Sequence, residues 1–573
     1  MSLRASWRVS IQLARTFRLR TYATVAAEGE SKLNCDVVIV GGGPAGLALA
    51  SALASSPHVK GGLEVAIVEA GDLSKIREWQ LPADAYSNRV SSLTNTSEDF
   101  LKRTGIWRHV AQERTAPLED MQVWDGVSDA RIEFSAHGLG IGSSSPTEAP
   151  YMARMTENLN LQRAAIHHLD EHPFIRILDK TKVESISNDG DGGDWPLVHL
   201  SSGQVLRARL LVGADGFNSP VRAFAGIKSY GWAYPTQAIV ATLRHAPRTV
   251  GYNTTAYQRF LPTGPIAFLP LAPTVSSLVW STRPSLAAAL SKADPAVLVH
   301  MINAAFRLPE ISMRYLHDRV EETVQTGKPL QADGFRKEIA WRESAHQIAS
   351  HSSLASATVD PSSVSQGIPA ADADMVPPLV HSIQPGTAAS FPLRFSHCET
   401  YIGEGKGART VLVGDAAHTV HPLAGQGLNG GLSDVECLAR CIETTLSAGG
   451  DIGSHTALQP YARERYIQNH SMLSAVDKLH KLYSSQLPPV VWARSVGVEV
   501  LNELDTLKAA LMFGAGTERG STSSGTMGWN MFASGLESVG TGVRVARAVG
   551  EGLQGVTANI LKQAAGVLRQ RGS

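Results

Sequence analysis

Three unbroken apolar runs punctuate this chain, Val37 to Val40, Leu210 to Val212 and Val411 to Val413, and each ends in a small, glycine-bearing turn. Runs of this kind read as strands covered on both faces, as in a parallel sheet. A fourth, Val65-Ala66-Ile67-Val68, ends in Glu69. Between them the pattern changes. Residues 232–243 and 257–282 alternate and are rich in aromatic and β-branched residues, which predicts antiparallel strands. Helical spacing is expected through Phe100 and Leu101 to Trp107, from Met155 to Arg163 with Thr156 as N-cap, and from the glycines at 425 and 427 to about Thr445. Residues 350–380 are rich in Ser, Ala and Pro with little periodicity, and read as a mobile insertion. No run of 18 apolar residues occurs, so no spanning helix is expected.

The apolar runs predict an α/β chain in which a dinucleotide-binding sheet is interrupted by an antiparallel-sheet domain. Charge adds little: 52 basic residues balance 52 acidic ones. The imbalance is local. Residues 1–27 hold Arg4, Arg8, Arg15, Arg18 and Arg20 and no acid, the composition of an organelle transit peptide. Arg20-Thr21-Tyr22-Ala23 resembles the cleavage site of the mitochondrial matrix processing protease, so a mitochondrial transit peptide is expected. Without it the chain is mildly acidic, which gives no footprint for nucleic acid. The four cysteines form no C-x-x-C pair and are expected as small buried residues, and no metal site is expected.

The chemistry sits in the turns. Gly41, Gly43 and Gly46 fit G-x-G-x-x-G between a strand and a helix. In that pattern the first glycine permits the turn, the second admits a pyrophosphate and the third allows close helix packing. The helix N-terminus offers free N–H groups to an anion. Glu69 lies where a carboxylate meets a ribose hydroxyl. Two further copies of the pattern occur. Gly550 to Gly555 lacks a preceding strand and reads as chance, whereas Gly425-Gln426-Gly427-Leu428-Asn429-Gly430 opens a long helix. The second turn carries Asp215 and Gly216, and the third carries Gly414 and Asp415 at a strand's carboxyl end, where ligands bind in open α/β sheets. His418 and His421 are read as structural imidazoles, and no residue is assigned as catalytic.

These three motifs, in order, resemble the class A flavin-dependent aromatic hydroxylases. Ser87-Asn88-Arg89-Val90, Ala153 to Asn158, Tyr257-Gln258-Arg259-Phe260-Leu261-Pro262-Thr263-Gly264-Pro265 and His421 to Asn429 look like the mitochondrial ubiquinone-biosynthesis branch. The resemblance implies FAD as cofactor. It places Gly41, Gly43, Gly46 and Glu69 on the ADP part, and Asp215 and the Gly414-Asp415 motif on the rest. Arg89, Gln162, Pro422, Gly425, Gln426, Gly427, Leu428 and Asn429 become flavin contacts. It further implies hydroxylation, mainly at C5, of a polyprenylated hydroxybenzoate ring by dioxygen, with electrons from ferredoxin and ferredoxin reductase. The expected setting is a ubiquinone-biosynthesis protein complex on the matrix side of the inner membrane.

The expected organisation is a discontinuous FAD-binding domain of 34–110, 151–225 and 391–445, with a substrate domain of 111–150 and 226–345. A helical region of 455–515 follows, then a tail of 516–573. Leu553, Val556, Ile560, Ala564 and Val567 recur there at helical spacing beside Lys562, Arg569 and Arg571, which suits a helix on a membrane surface. Two alternatives stay open: a soluble NADPH-dependent phenol hydroxylase of the same fold, and a non-catalytic flavin-bound scaffold.

Overall fold

The computed structural model describes residues 32–59, 62–138, 149–190, 195–248, 251–327, 330–357, 372–422 and 425–503. The expected transit peptide, the membrane helix of the tail and the centre of the 350–380 insertion lie outside them.

The first apolar run belongs to a strand, Lys32–Val40, at the centre of a seven-stranded sheet. It pairs in parallel with Val65–Val68 on one side and Val205–Gly213 on the other. Thr410–Leu412 adds a further parallel strand beside Val205–Gly213. Val37, Val38 and Ile39 have no exposed surface, as a strand covered on both faces requires. Three sequence-distant motifs therefore end side by side at the carboxyl edge of one sheet. The helix Pro44–Ser55 follows the first turn, with proline at its first position, where a missing N–H costs nothing.

A nine-stranded sheet forms the second layer. Its main path runs His418–Thr419, Ala389–Cys398, Ser229–His245, Val275–Thr282, Gly264–Ala272, Thr255–Leu261, Asp120–Asp125 and Arg131–Ser135. Adjacent strands are antiparallel, except that Thr255–Leu261 runs parallel to Asp120–Asp125. Strand alternation gives the sheet two distinct faces. Tyr257, Phe268, Leu278 and Trp280 point to one face and pack against the helices Pro284–Lys292, Pro295–Arg307, Glu310–Thr326 and Ala332–Ala345. Phe268 and Leu278 are fully buried, worth about 1.5–3 kcal/mol each relative to exposure. Their sequence neighbours face the other way, into a cavity.

Two expectations change. Thr156 is no N-cap: it ends up inside the strand Ala153–Glu157, and the helix Asn158–Asp170 starts after Glu157 without a side-chain cap. Thr156 is instead buried and accepts a hydrogen bond from Asn160 Nδ2 at 3.3 Å. The described flanks of the insertion are also tied down. The Glu343 carboxylate accepts from the backbone N–H groups of Ser356 and Ala357, and Asp372 accepts from Ser352 and Ser353. Among the described residues, no helix is long and apolar enough to cross a membrane, and no cluster of His, Cys, Asp or Glu suits a metal ion.

Candidate functional site

The three motif turns and the free face of the nine-stranded sheet enclose one cavity of about 1040 Å³. Gly41, Gly43, Glu69, Arg89, Asp215, Gly414, Asp415, Pro422, Gly425, Gln426, Gly427 and Leu428 all line it, so the fold gathers most of the sequence-predicted residues on one wall.

The glycines of the first turn are required for different reasons. Gly41 has φ +111°, and a Cβ there would stand 2.2 Å from the Ala214 carbonyl oxygen. A Cβ on Gly46 would stand 2.0 Å from the Gly41 oxygen. Both are glycine because the protein's own backbone passes too close. Gly43 differs: a Cβ there would meet nothing within 4 Å, and the residue faces the cavity. Nothing among the described residues demands glycine at 43, whereas a pyrophosphate lying on the turn would.

Glu69 Oε2 accepts from Gly42 N and Oε1 from Gly71 N, both at 2.6 Å. These bonds fix the carboxylate at the cavity wall and leave lone pairs for hydroxyl groups. Asp215 accepts from Val221 N at 3.1 Å through Oδ2, while its buried Oδ1 has no hydrogen-bond partner among the described residues. Burial raises the pKa of Asp215; that of Asp415, which is open to the cavity, is raised too because the surrounding walls keep water from it, against the opposing pull of His418. Two carboxyl groups held at a cavity wall and short of partners suit a ligand rich in hydroxyl and N–H groups. These residues fit a bound FAD.

Gly46, Gln162 and Asn429 are not on the cavity wall. Gln162 Nε2 donates to the Gly42 oxygen at 3.4 Å, behind the turn. Asn429 accepts from Thr94 N at 3.1 Å and donates to Ser92 O at 2.8 Å, tying the 425–430 turn to the strand Val90–Thr94. Gln162 and Asn429 thus bond the turns that line the cavity, and Gly46 lets its helix pack against the Gly41 carbonyl.

Behind the third turn lies a buried charge network. Asp434 Oδ2 bonds His418 Nε2 at 2.6 Å and accepts from Gly414 N at 3.0 Å. Asp434 Oδ1 accepts from Arg465 Nε at 2.8 Å and Asn469 Nδ2 at 2.9 Å. Burial alone would raise the Asp434 pKa, but His418 and Arg465 hold it well below the usual carboxylate range. The network pins the Gly414 backbone and ties the His418 ring to Asp434. His421 does reach the cavity; burial first, then His480, lower its pKa to about 3, so the imidazole is neutral at physiological pH.

The opposite wall is apolar and comes from the free sheet face, including Val123, Phe260, Ala267 and Val279. Tyr483 stacks on Phe260 with ring centroids 4.0 Å apart. The helix Pro488–Glu503 closes this end with Ala493, Gly497 and Val498. Arg494 locks it in place. It makes a two-pronged ion pair with Asp125 at 2.8 and 2.9 Å and donates to the carbonyls of Leu482, Tyr483 and Ser485. Sequence reasoning missed Arg494, because 369 positions separate it from Asp125 and no local pattern joins them.

The chain matches the family model described as FAD binding domain over residues 34–326 and 330–473. It is 37% identical to the ubiquinone biosynthesis monooxygenase COQ6, mitochondrial, of Saccharomyces cerevisiae, over 87% of this chain and 96% of the relative. The protein of the same name from Schizosaccharomyces pombe is 36% identical over 82% of this chain and 90% of its own. The human one is 34% identical over 83% and 91%. Among solved structures, p-nitrophenol 4-monooxygenase PnpA from Pseudomonas putida has a TM-score of 0.55 at 17% identity, covering 86% of this chain and all of that one. PqsL of Pseudomonas aeruginosa in complex with 2-aminobenzoylacetate gives 0.53 at 20%, covering 81% and 99%. At such identities the likeness shows the fold.

Proposed function

The chain belongs to the FAD-dependent monooxygenases of the aromatic-hydroxylase fold, within the mitochondrial ubiquinone biosynthesis monooxygenase family, and from that premise we propose that it hydroxylates the ring of a polyprenylated hydroxybenzoate at C5. One observation carries the reading: the cavity has a backbone-and-carboxylate wall on one side and an apolar sheet wall on the other. That division suits a cofactor and an alkylated aromatic ring held against each other.

When bound, FAD supplies the activation of dioxygen, and the chain's residues supply orientation and dryness. Gly43 leaves room for the pyrophosphate, Glu69 faces the ribose, and Asp215 and Asp415 take hydroxyl groups of the ribitol side. The N-terminus of the helix Gly427–Ser447 points partial positive charge at the same wall, where it favours negative charge on a bound ring. Phe260, Tyr483 and the Pro488–Glu503 helix keep bulk water from the aromatic ring, which protects the oxygen transfer from wasteful release of peroxide. In this reading 34–110, 151–225 and 391–445 form the cofactor part and 111–150 and 226–345 the substrate part, except that the strand Ala389–Cys398, which opens the 391–445 segment, pairs with Ser229–His245 and so belongs to the substrate sheet.

Electrons come, in this reading, from ferredoxin and ferredoxin reductase. The enzyme works in the matrix, attached peripherally to the inner membrane within a biosynthetic complex. Anaerobic reduction of the purified holoenzyme with each donor tests the electron route. Rapid reduction by the ferredoxin pair and slow reduction by NADPH is the expected result; the reverse would favour the soluble NADPH-dependent hydroxylase. Product analysis by NMR tests C5, and a hydroxyl group at another carbon would overturn that assignment.

A further inference from the structure

On the cavity face of the nine-stranded sheet, one long polar side chain interrupts the apolar wall. Gln258 lies at the centre of the strand Thr255–Leu261. It is paired across the sheet with Val123 on one side and Ala267 on the other, and Ala267 is paired in turn with Val279. Its in-strand neighbours on the same face are Ala256 and Phe260. Gln258 is only 6% exposed and lines the cavity. Among the described residues its amide makes no hydrogen bond, to backbone or to side chain.

Buried amides are normally paired, and an unpaired one is worse for the fold than an apolar residue of the same length. Ser281 on the same face differs, because its hydroxyl is small and already shut in. The charged group at this end of the cavity, Arg494, has its donors committed to Asp125 and three carbonyls. That leaves the Gln258 amide, which has N–H donors and a carbonyl acceptor together, open to the substrate space.

Resting on the ring-hydroxylase reading, we infer that Gln258 reads the phenolic hydroxyl of the substrate, its Nε2–H donating a hydrogen bond to the hydroxyl oxygen or its Oε1 accepting one from the O–H. The pairing sets the ring's orientation in the plane between the two walls, and so decides which carbon beside the hydroxyl meets the cofactor. The apolar face around it takes the ring edge and the first carbons of the alkyl tail. Gln258 is thus a specificity residue of the hydroxylation and contributes little to the fold.

The test uses the FAD-loaded full chain and 4-hydroxybenzoate carrying one isoprenyl group at C3 as probe. In a single turnover the flavin is reduced by dithionite under anaerobic conditions and then mixed with oxygen. One oxygen atom enters the ring and the other leaves as water, with two electrons from the flavin; uncoupled turnover returns both oxygen atoms as hydrogen peroxide. Gln258→Met, with Gln258→Leu as a second apolar variant, is expected to weaken probe binding about tenfold and to shift product toward peroxide. FAD content should be unchanged, and the melting temperature equal or higher, because an unpaired buried amide has been removed. Unchanged affinity and coupling would overturn the assignment, and so would a fall in melting temperature with loss of FAD. If the wild type itself hydroxylates nothing, the ring-hydroxylase reading fails instead.

Discussion

The two walls of the cavity are built on opposite physical terms. The motif wall is made of backbone and buried charge: glycines that cannot carry a Cβ, carboxylates fixed by N–H groups, and the Asp434 network behind Gly414. The sheet wall is made of apolar side chains whose positions follow from strand alternation, and its far face rests on a helical core. The first kind of wall fails abruptly when one atom is misplaced. The second tolerates substitution of similar volume and fails by losing selectivity. A cofactor common to many reactions can be held by the rigid wall, while the substrate is distinguished by the adaptable one.

The sharpest break expected is in the motif wall. Asp434→Ala leaves Arg465 and His418 facing an empty centre and should destabilise the protein by about 3–5 kcal/mol, measured by urea unfolding. Loss of under about 1 kcal/mol would mean that the network holds little. Next, Gly43→Val should abolish FAD binding with the fold retained, because its side chain occupies only ligand space. Circular dichroism and FAD content separate this from Gly41→Val, which should fail to fold. A folded Gly43→Val protein with normal FAD content would move the cofactor to another turn. Asp415→Ala should weaken FAD binding by about 1.5–3 kcal/mol, the worth of a hydrogen bond to a charged group. Unchanged retention on dilution would remove Asp415 from the cofactor's contacts.

The smallest effect concerns pH. His397 is fully buried between the hydroxyl groups of Tyr230 and Tyr401, and burial first, then His418, lower its pKa to about 3. The folded state thus resists a proton that the unfolded chain accepts near pH 6.5. The stabilisation is complete above that value and is lost progressively as pH falls toward 3. Between pH 7 and 5.5 the loss is about 1 kcal/mol for this one histidine. His397→Gln should flatten the pH dependence of unfolding by that amount, and an unaltered slope would contradict the buried, neutral assignment.

The motif wall was largely legible in the sequence because its causes are local. The run Val65 to Val68 is a strand with those bounds, and the glycine turn, its helix and Glu69 follow in order along the chain. The sheet wall was legible only as strands. Which of their faces is free depends on the helices of 284–345, which alternation along the strands does not reveal. A signal was present in Asp294-Pro295, where Asp294 caps Ala296 N and proline takes the first helical position. The closing helix was not legible, since Arg494 meets Asp125 only after the whole chain has folded. The N-cap assigned to Thr156 failed because strand pairing with Ser91 and Thr115 outweighed a local capping preference.

The central claim is that cofactor and substrate share one chamber, each against its own wall. Titrating the FAD-loaded protein with the one-isoprenyl hydroxybenzoate, while recording the flavin absorption spectrum, tests it most directly. The wild type should give a saturable spectral change. Ala267→Trp, which fills the sheet wall and leaves the motif wall untouched, should retain one FAD per chain and lose that change. An undiminished response in Ala267→Trp, with unaltered affinity, would contradict the account by showing that the ring binds elsewhere.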